Sequence, residues 1–126
     1  MMRVFHTDGA PAAIGPYAQA VEAGGFLFSA GQIGLIPETG EFAGEDVETQ
    51  AVQVLQNLAA ILEEAGLSFS DVVKTTMYLA NMDDFSLVNA IYASYFTQPY
   101  PARSTVAAAG LPKGARIEID VVARRA

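Results

Sequence analysis

The stretch DVETQAVQVLQNLAAILEEAGLSFSDVVKTTMYLA, residues 46–80, decides the fold because its apolar period changes partway along. Asp46 opens a helix in which Val47, Ala51, Val54, Leu55, Leu58, Leu62 and Ala65 recur at helical spacing. Gly66 follows where a left-handed residue ends a helix at no steric cost. From Val72 to Ala80 the period drops to two, with Val73, Thr75, Met77 and Leu79 alternating against Val72, Lys74, Thr76 and Tyr78. That alternation predicts a strand.

Upstream, Tyr17–Ala23 and Phe26–Ala30 are strand-like runs joined by Gly24-Gly25, two residues that can both take positive φ, which predicts a hairpin. Residues 33–43 read as a long loop. Downstream, Asn81 or Asp83 can cap a second helix reaching about Phe96, with Phe85, Val88, Tyr92 and Tyr95 facing inward and Pro99 and Pro101 breaking it. Two last strands, Arg103–Ala108 and Ala115–Arg124, flank the turn Gly110–Gly114. The pattern predicts one α+β domain over residues 1–126, with a sheet of five strands, or six if the run around Val4 also pairs. Two helices suffice for one face of such a sheet. On the last strand Ile117, Ile119, Val121 and Ala123 suit that covered face; Arg116, Glu118, Asp120, Val122 and Arg124 take the other. Another subunit is the simplest cover for that second face.

Composition narrows the chemistry. Apolar residues make up 52% of the chain and charged residues only 17%, which again points to an oligomer. Net charge is −7, which disfavours nucleic acid and anionic membranes as partners. With no cysteine and one histidine, thiol nucleophiles and zinc–thiolate sites are excluded and a Ser-His-Asp triad is disfavoured. A single histidine also excludes most metal clusters. The opening residues show no apolar leader and no run is long enough to span a membrane, so the expectation is a soluble, cytoplasmic protein. The charge is uneven: Arg3 and Lys74 are the only cations before residue 103, whereas Arg103, Lys113, Arg116, Arg124 and Arg125 crowd the end. An anionic substrate is drawn there.

Candidate functional residues are few. His6 and the pairs Glu63-Glu64 and Asp83-Asp84 read as solvated surface. Gly31-Gln32-Ile33-Gly34 follows a strand without a phosphate-loop or dinucleotide signature; it is either a close backbone approach or a loop offering N–H groups to an anion. Arg103, behind Pro99-Tyr100-Pro101-Ala102, stands at the mouth of a strand, where a planar fork can grip a carboxylate. Glu118, on the next strand in sequence, is either its ion-pair partner or a carboxylate that orients water. Asn89, between Phe85 and Tyr92, is a structural clamp or a site residue. Tyr17, after Ile14-Gly15-Pro16, can present its hydroxyl.

Taken together, Ala12-Ala13-Ile14-Gly15-Pro16-Tyr17, Ser29-Ala30-Gly31-Gln32-Ile33, Val88-Asn89 with Tyr95-Phe96, and Pro101-Ala102-Arg103-Ser104 with Ile117-Glu118-Ile119 resemble the RidA (YjgF) family of enamine/imine deaminases. The resemblance runs from about Ala10 to Arg124. It implies a chorismate-mutase-like fold, a homotrimer with clefts between subunits, and hydrolysis of 2-imino or enamine acids (2-iminobutanoate, 2-iminopropanoate) to 2-oxo acids and ammonia. No metal or cofactor is expected for that chemistry. Arg103 matches the family's carboxylate-binding arginine and Glu118 its water-orienting acid. Tyr17, Gly31, Ile33, Asn89 and Thr105 match positions lining the substrate. Two positions depart: Ala30 stands where many members carry serine, and Thr105 where many carry cysteine. Ser29 faces away from the cleft in a regular strand and so is no replacement. The competing expectation is a non-catalytic 2-oxo-acid-binding trimer; an endoribonuclease or translation inhibitor fits the acidic charge less well.

Overall fold

The computed structural model describes residues Met1–Ala126. Its elements are β1 (Arg3–Phe5), β2 (Ala20–Ala23), β3 (Phe26–Ser29), α1 (Val47–Glu64), β4 (Val72–Leu79), α2 (Phe85–Ala93), β5 (Ala102–Ala107) and β6 (Ile117–Arg124). Helix α1 starts where its chemistry dictates: the Asp46 carboxylate accepts both the Thr49 N–H at 2.9 Å and the Thr49 hydroxyl at 2.8 Å. That satisfies a backbone donor the helix itself leaves unpaired. Gly66, at φ +74°, ends it.

One six-stranded sheet runs β1-β2-β3-β6-β4-β5. All neighbours are antiparallel except β4 and β5, which α2 links as a parallel crossover. Both helices lie on one face, and the expected α+β architecture with its sixth strand at Val4 holds. Beneath α1, Leu55, Leu58, Ile61 and Leu62 pack onto Met77, Leu79, Ile117, Ile119 and Val121, all essentially fully buried. Each such side chain contributes about 2 kcal/mol of apolar transfer.

Several details differ from the sequence expectation, among them that the last strand starts at Ile117 instead of Ala115 and that Asn81 caps a separate turn, Met82–Asp84, ahead of α2. The first hairpin strand begins at Ala20, not Tyr17. Gln19 marks the change: its backbone carbonyl still accepts the Ala30 N–H, but its buried amide donates to the carbonyls of Thr7, Ala10 and Pro11 and accepts the Thr7 N–H, tying the chain to its own N-terminal segment. In β4 the pairing with β6 slips between Val72 and Lys74, so Val72 is buried alongside Thr75, Met77 and Leu79 while Val73 turns outward. Helix α2 stops at Ala93 instead of Phe96, where the Ser94 hydroxyl donates to the Ile91 carbonyl at 2.6 Å. Phe96 still reaches the core, stacked on Tyr92 at 4.4 Å between ring centroids. Arg103 is the second residue of β5, not the first.

Candidate active site

Arg103 lies on the helix-covered face. It pairs in register with Thr75, and its side chain runs beneath α2. Phe85, Asn89 and Tyr92, four and seven residues apart along one side of that helix, form its seat. The guanidinium donates to Asn89 Oδ1 at 2.8 Å and lies 5.3 Å from the Phe85 ring centroid and 4.8 Å from that of Tyr92. Tyr92 is itself fixed by a 2.9 Å hydrogen bond to Thr75 Oγ1, and burial pushes its hydroxyl pKa up. No carboxylate pairs with Arg103: the chain's two side-chain ion pairs are His6–Asp8 and Arg125–Glu22. The result is a half-buried cation whose guanidinium plane is set and whose remaining N–H groups point at no acid. Thr105, two residues on, shares this face opposite Met77.

Glu118 lies on the open face. It pairs in register with Tyr78 and borders a cleft of about 550 Å³ lined also by Ile14, Tyr17, Gly31, Ile33 and Lys113. Its carboxylate accepts no hydrogen bond from the chain; burial raises its pKa, and neighbouring Asp120 raises it further. A Cβ at Gly31 would overlap that carboxylate, with its carboxyl carbon only 2.8 Å away, so glycine at this position is what admits the acid. The N–H groups of Gly31 and Ile33 find no acceptor in the chain. Tyr17 is 53% exposed, and its hydroxyl accepts the Ile14 N–H at 3.2 Å, leaving its own proton to donate.

The cleft wall is irregular but firmly held. Between the pairs Phe28–Val122 and Gln32–Ile119, one strand advances four residues and the other three, a bulge filled by Ser29, whose hydroxyl accepts the Val121 N–H at 3.0 Å. Ser29 is thus occupied, and Ala30 leaves this part of the cleft without a hydroxyl. From α1, Asn57 donates to the carbonyls of Ile33 and Leu35, and Gln50 donates to Gly44 while accepting the Arg116 N–H.

The structure therefore gathers the expected residues into two groups: Tyr17, Gly31, Ile33 and Glu118 around the open cleft, and Asn89, Arg103 and Thr105 under α2. It does not join them. An ion pair between Arg103 and Glu118 is ruled out, because β4 lies between β5 and β6 and the two side chains leave opposite faces of the sheet. The basic C-terminal fifth is also partly spent: Arg125 grips Glu22 with two nitrogens and donates to the Ala65 carbonyl, and Arg116 donates to the Glu45 carbonyl. Sequence reading missed Lys113 as a cleft residue, and took Phe85 and Tyr92 for core when they also seat a cation.

Comparison with known proteins fits this arrangement. The family model described as Endoribonuclease L-PSP matches residues 7–125. The chain is 53% identical to Reactive Intermediate Deaminase A, chloroplastic, of Arabidopsis thaliana, over 95% of this chain and 64% of the plant protein. It is 48% identical to the 2-iminobutanoate/2-iminopropanoate deaminase of Salmonella typhimurium, over 99% of both. Among solved structures, the Rid-family protein YyfA of Yersinia pestis superposes with a TM-score of 0.96 at 46% identity, covering 98% of this chain and 99% of the other. E. coli TdcF with bound serine gives 0.93 at 41% identity, with the same coverage. With a fold shared over nearly its whole length and relatives close to half identical, the chain belongs to the RidA (YjgF) family.

Proposed function

We propose that this protein hydrolyses reactive 2-imino and enamine acids to 2-oxo acids and ammonia, in clefts formed between the copies of a homotrimer. The observation that carries the reading is the split site: a seated cation without an acid on one face, and an acid without a hydrogen bond on the other. Each is incomplete alone, and a second copy that docks its Arg103 face against the Glu118 cleft of the first makes one site from two halves. A contact between two different patches of the same chain repeats head to tail and closes into a ring. The open face supports it, since Val4, Val21, Phe28 and Val122 form a continuous apolar row across β1, β2, β3 and β6.

In this reading Arg103 holds the substrate carboxylate through two parallel hydrogen bonds, and the free N–H groups of Gly31 and Ile33 supply further donors. An iminium carbon is already electrophilic, so the protein must chiefly place a water against it. Glu118 accepts a proton as that water adds to C2, giving a tetrahedral carbinolamine. The proton then passes to the nitrogen, and as the C–N bond breaks Glu118 takes the hydroxyl proton, so that ammonia leaves a 2-oxo acid behind. Positioning supplies most of the gain, and a proton acceptor adds to it. In the same reading Tyr17, whose hydroxyl keeps its own proton to donate, serves the nitrogen or the nascent carbonyl oxygen. The serine bound to TdcF carries the α-carboxylate and α-nitrogen of such a substrate.

The test couples a threonine dehydratase to this protein and follows loss of the imine, trapped as its semicarbazone, with light scattering run in parallel. Faster imine loss and a mass of about three times 13.3 kDa are expected. A monomer that leaves imine decay unchanged overturns the reading; 2-oxo-acid binding without turnover identifies a binding protein, and RNA cleavage an endoribonuclease.

A further inference from the structure

Lys113 is the single cation lining the Glu118 cleft. Its backbone is the chain's only non-glycine residue at positive φ, at φ 57° and ψ 19°. Residues with a Cβ seldom sit there, and a long unbranched side chain does nothing to favour it. A rigid turn enforces the geometry: Pro112 precedes it, the Gly114 N–H donates to the Leu111 carbonyl at 3.1 Å, and the Ala115 N–H donates to Pro112 at 3.0 Å. The ammonium so presented makes no hydrogen bond and no ion pair within the chain, unlike Lys74, Arg116 and Arg125. It lines the same cleft as an unpaired carboxylate, in a protein of net charge −7. Both of those charges repel an anionic substrate.

We infer that Lys113 is a steering and selectivity residue, offsetting the negative field of the cleft so that small carboxylate-bearing substrates are drawn in ahead of neutral analogues. This rests on the activity proposed above, deepening it at the same site. Lys113 acts on approach, not on the bond-making step, so its effect appears in affinity and is screened by salt. Asparagine tolerates the left-handed conformation, which makes Lys113→Asn a neutral replacement that keeps the turn, and Lys113→Arg restores the charge.

Two readouts decide it. In steady-state hydrolysis of 2-iminobutanoate, Lys113→Asn is expected to raise KM by about fivefold with kcat within twofold of wild type, an effect of the size electrostatic attraction supplies. Raising salt from about 0.02 to 0.5 M should bring wild type and variant together, since the Debye length shrinks from about 20 Å to a few ångström and screens both the attraction of Lys113 and the repulsion the variant is left with. Lys113→Arg follows wild type. Binding of 2-oxobutanoate, measured by calorimetry, should show the same loss and the same salt dependence. Its amide analogue should bind wild type and variant alike. The binding arm needs no turnover, so an inactive wild type refutes the activity while still testing Lys113. Equal affinities and salt slopes for wild type and Lys113→Asn overturn the inference, and so does a loss confined to kcat.

Discussion

The two faces of the sheet prepare their functional groups in opposite ways. Under α2, Arg103 has its hydrogen-bond partner and two aromatic walls, and Tyr92, which forms one wall, is fixed in turn by Thr75. In the open cleft, Glu118 has no donor, a burial penalty and a like charge in Asp120 two residues away. In the proposed reaction, the group that holds the substrate still is the one built rigid, and the group that accepts a proton is the one left unsatisfied. Stabilising Glu118 with hydrogen bonds would lower its basicity, and loosening Arg103 would misalign whatever it grips.

The largest effect should come from breaking the rigid half. Arg103→Ala is expected to reduce imine hydrolysis to background. Arg103→Lys keeps the charge but loses the planar fork, and kcat/KM should fall by on the order of 10²-fold or more, about 3 kcal/mol of transition-state stabilisation. Kinetics on freshly generated 2-iminopropanoate, with circular dichroism confirming the fold, checks both; a lysine variant within threefold of wild type would show that charge alone suffices. On the other face, Glu118→Gln should lower kcat by roughly 10²-fold while 2-oxo-acid binding survives. The same residue gives a pH signature. Since its pKa is raised, the basic form is lost on acidification earlier than for an ordinary glutamate, and the acid limb of the wild-type kcat profile should sit correspondingly high and vanish in Glu118→Gln.

Smaller effects sharpen the contrast. Asn89→Ala removes the 2.8 Å tie but not the aromatic walls, and about a tenfold loss in kcat/KM is expected, with Asn89→Asp at least as damaging because its carboxylate would pair with Arg103 and compete with the substrate's. Smallest is an effect on stability. A carboxyl group whose pKa is raised by folding favours the native state below its unfolded pKa, and that contribution disappears as pH rises through the folded one. Glu118→Gln should therefore raise the melting temperature by a few degrees near neutral pH and by less as the pH falls toward 4, read by thermal melts across that range. A variant that melts lower at neutral pH would mean that Glu118 is a structural carboxylate after all.

Much of this was legible from side-chain periodicity. Helix α1 and the alternation of Ile117, Ile119, Val121 and Ala123 follow from the spacing of apolar residues alone. So does the one-sided placement of the helices. What periodicity cannot carry is order across the sheet. Arg103 and Glu118 stand on strands consecutive in sequence, which invites a direct pairing, but the parallel crossover through α2 seats β4 between them. Tyr17 and Val73 were misread for local reasons: a buried glutamine captures the chain before β2, and a slipped register turns one valine outward. The motif-bearing residues Tyr17, Gly31, Asn89, Arg103 and Glu118 were recognisable from their types and neighbours, but Lys113 was not. Its signal, a lysine between Pro112 and Gly114 in a tight turn, has meaning only once the turn is folded against the cleft.

The amides that α1 lends to the cleft wall also fix its lifetime. Residues 33–44 have almost no ladder of their own, yet Asn57 and Gln50 tie Ile33, Leu35 and Gly44 to the most deeply buried helix of the protein. Freeing the loop means breaking hydrogen bonds made by buried side-chain amides, so the segment belongs to the same cooperative opening unit as the helix. In deuterium exchange, the Leu35, Ile36 and Ala43 amides, all hydrogen-bonded, should exchange at rates near those of mid-helix amides in α1. A wall built from loop would then keep the timescale of a core element, and a ligand of the proposed reaction would exchange through the cleft without waiting for the wall to move.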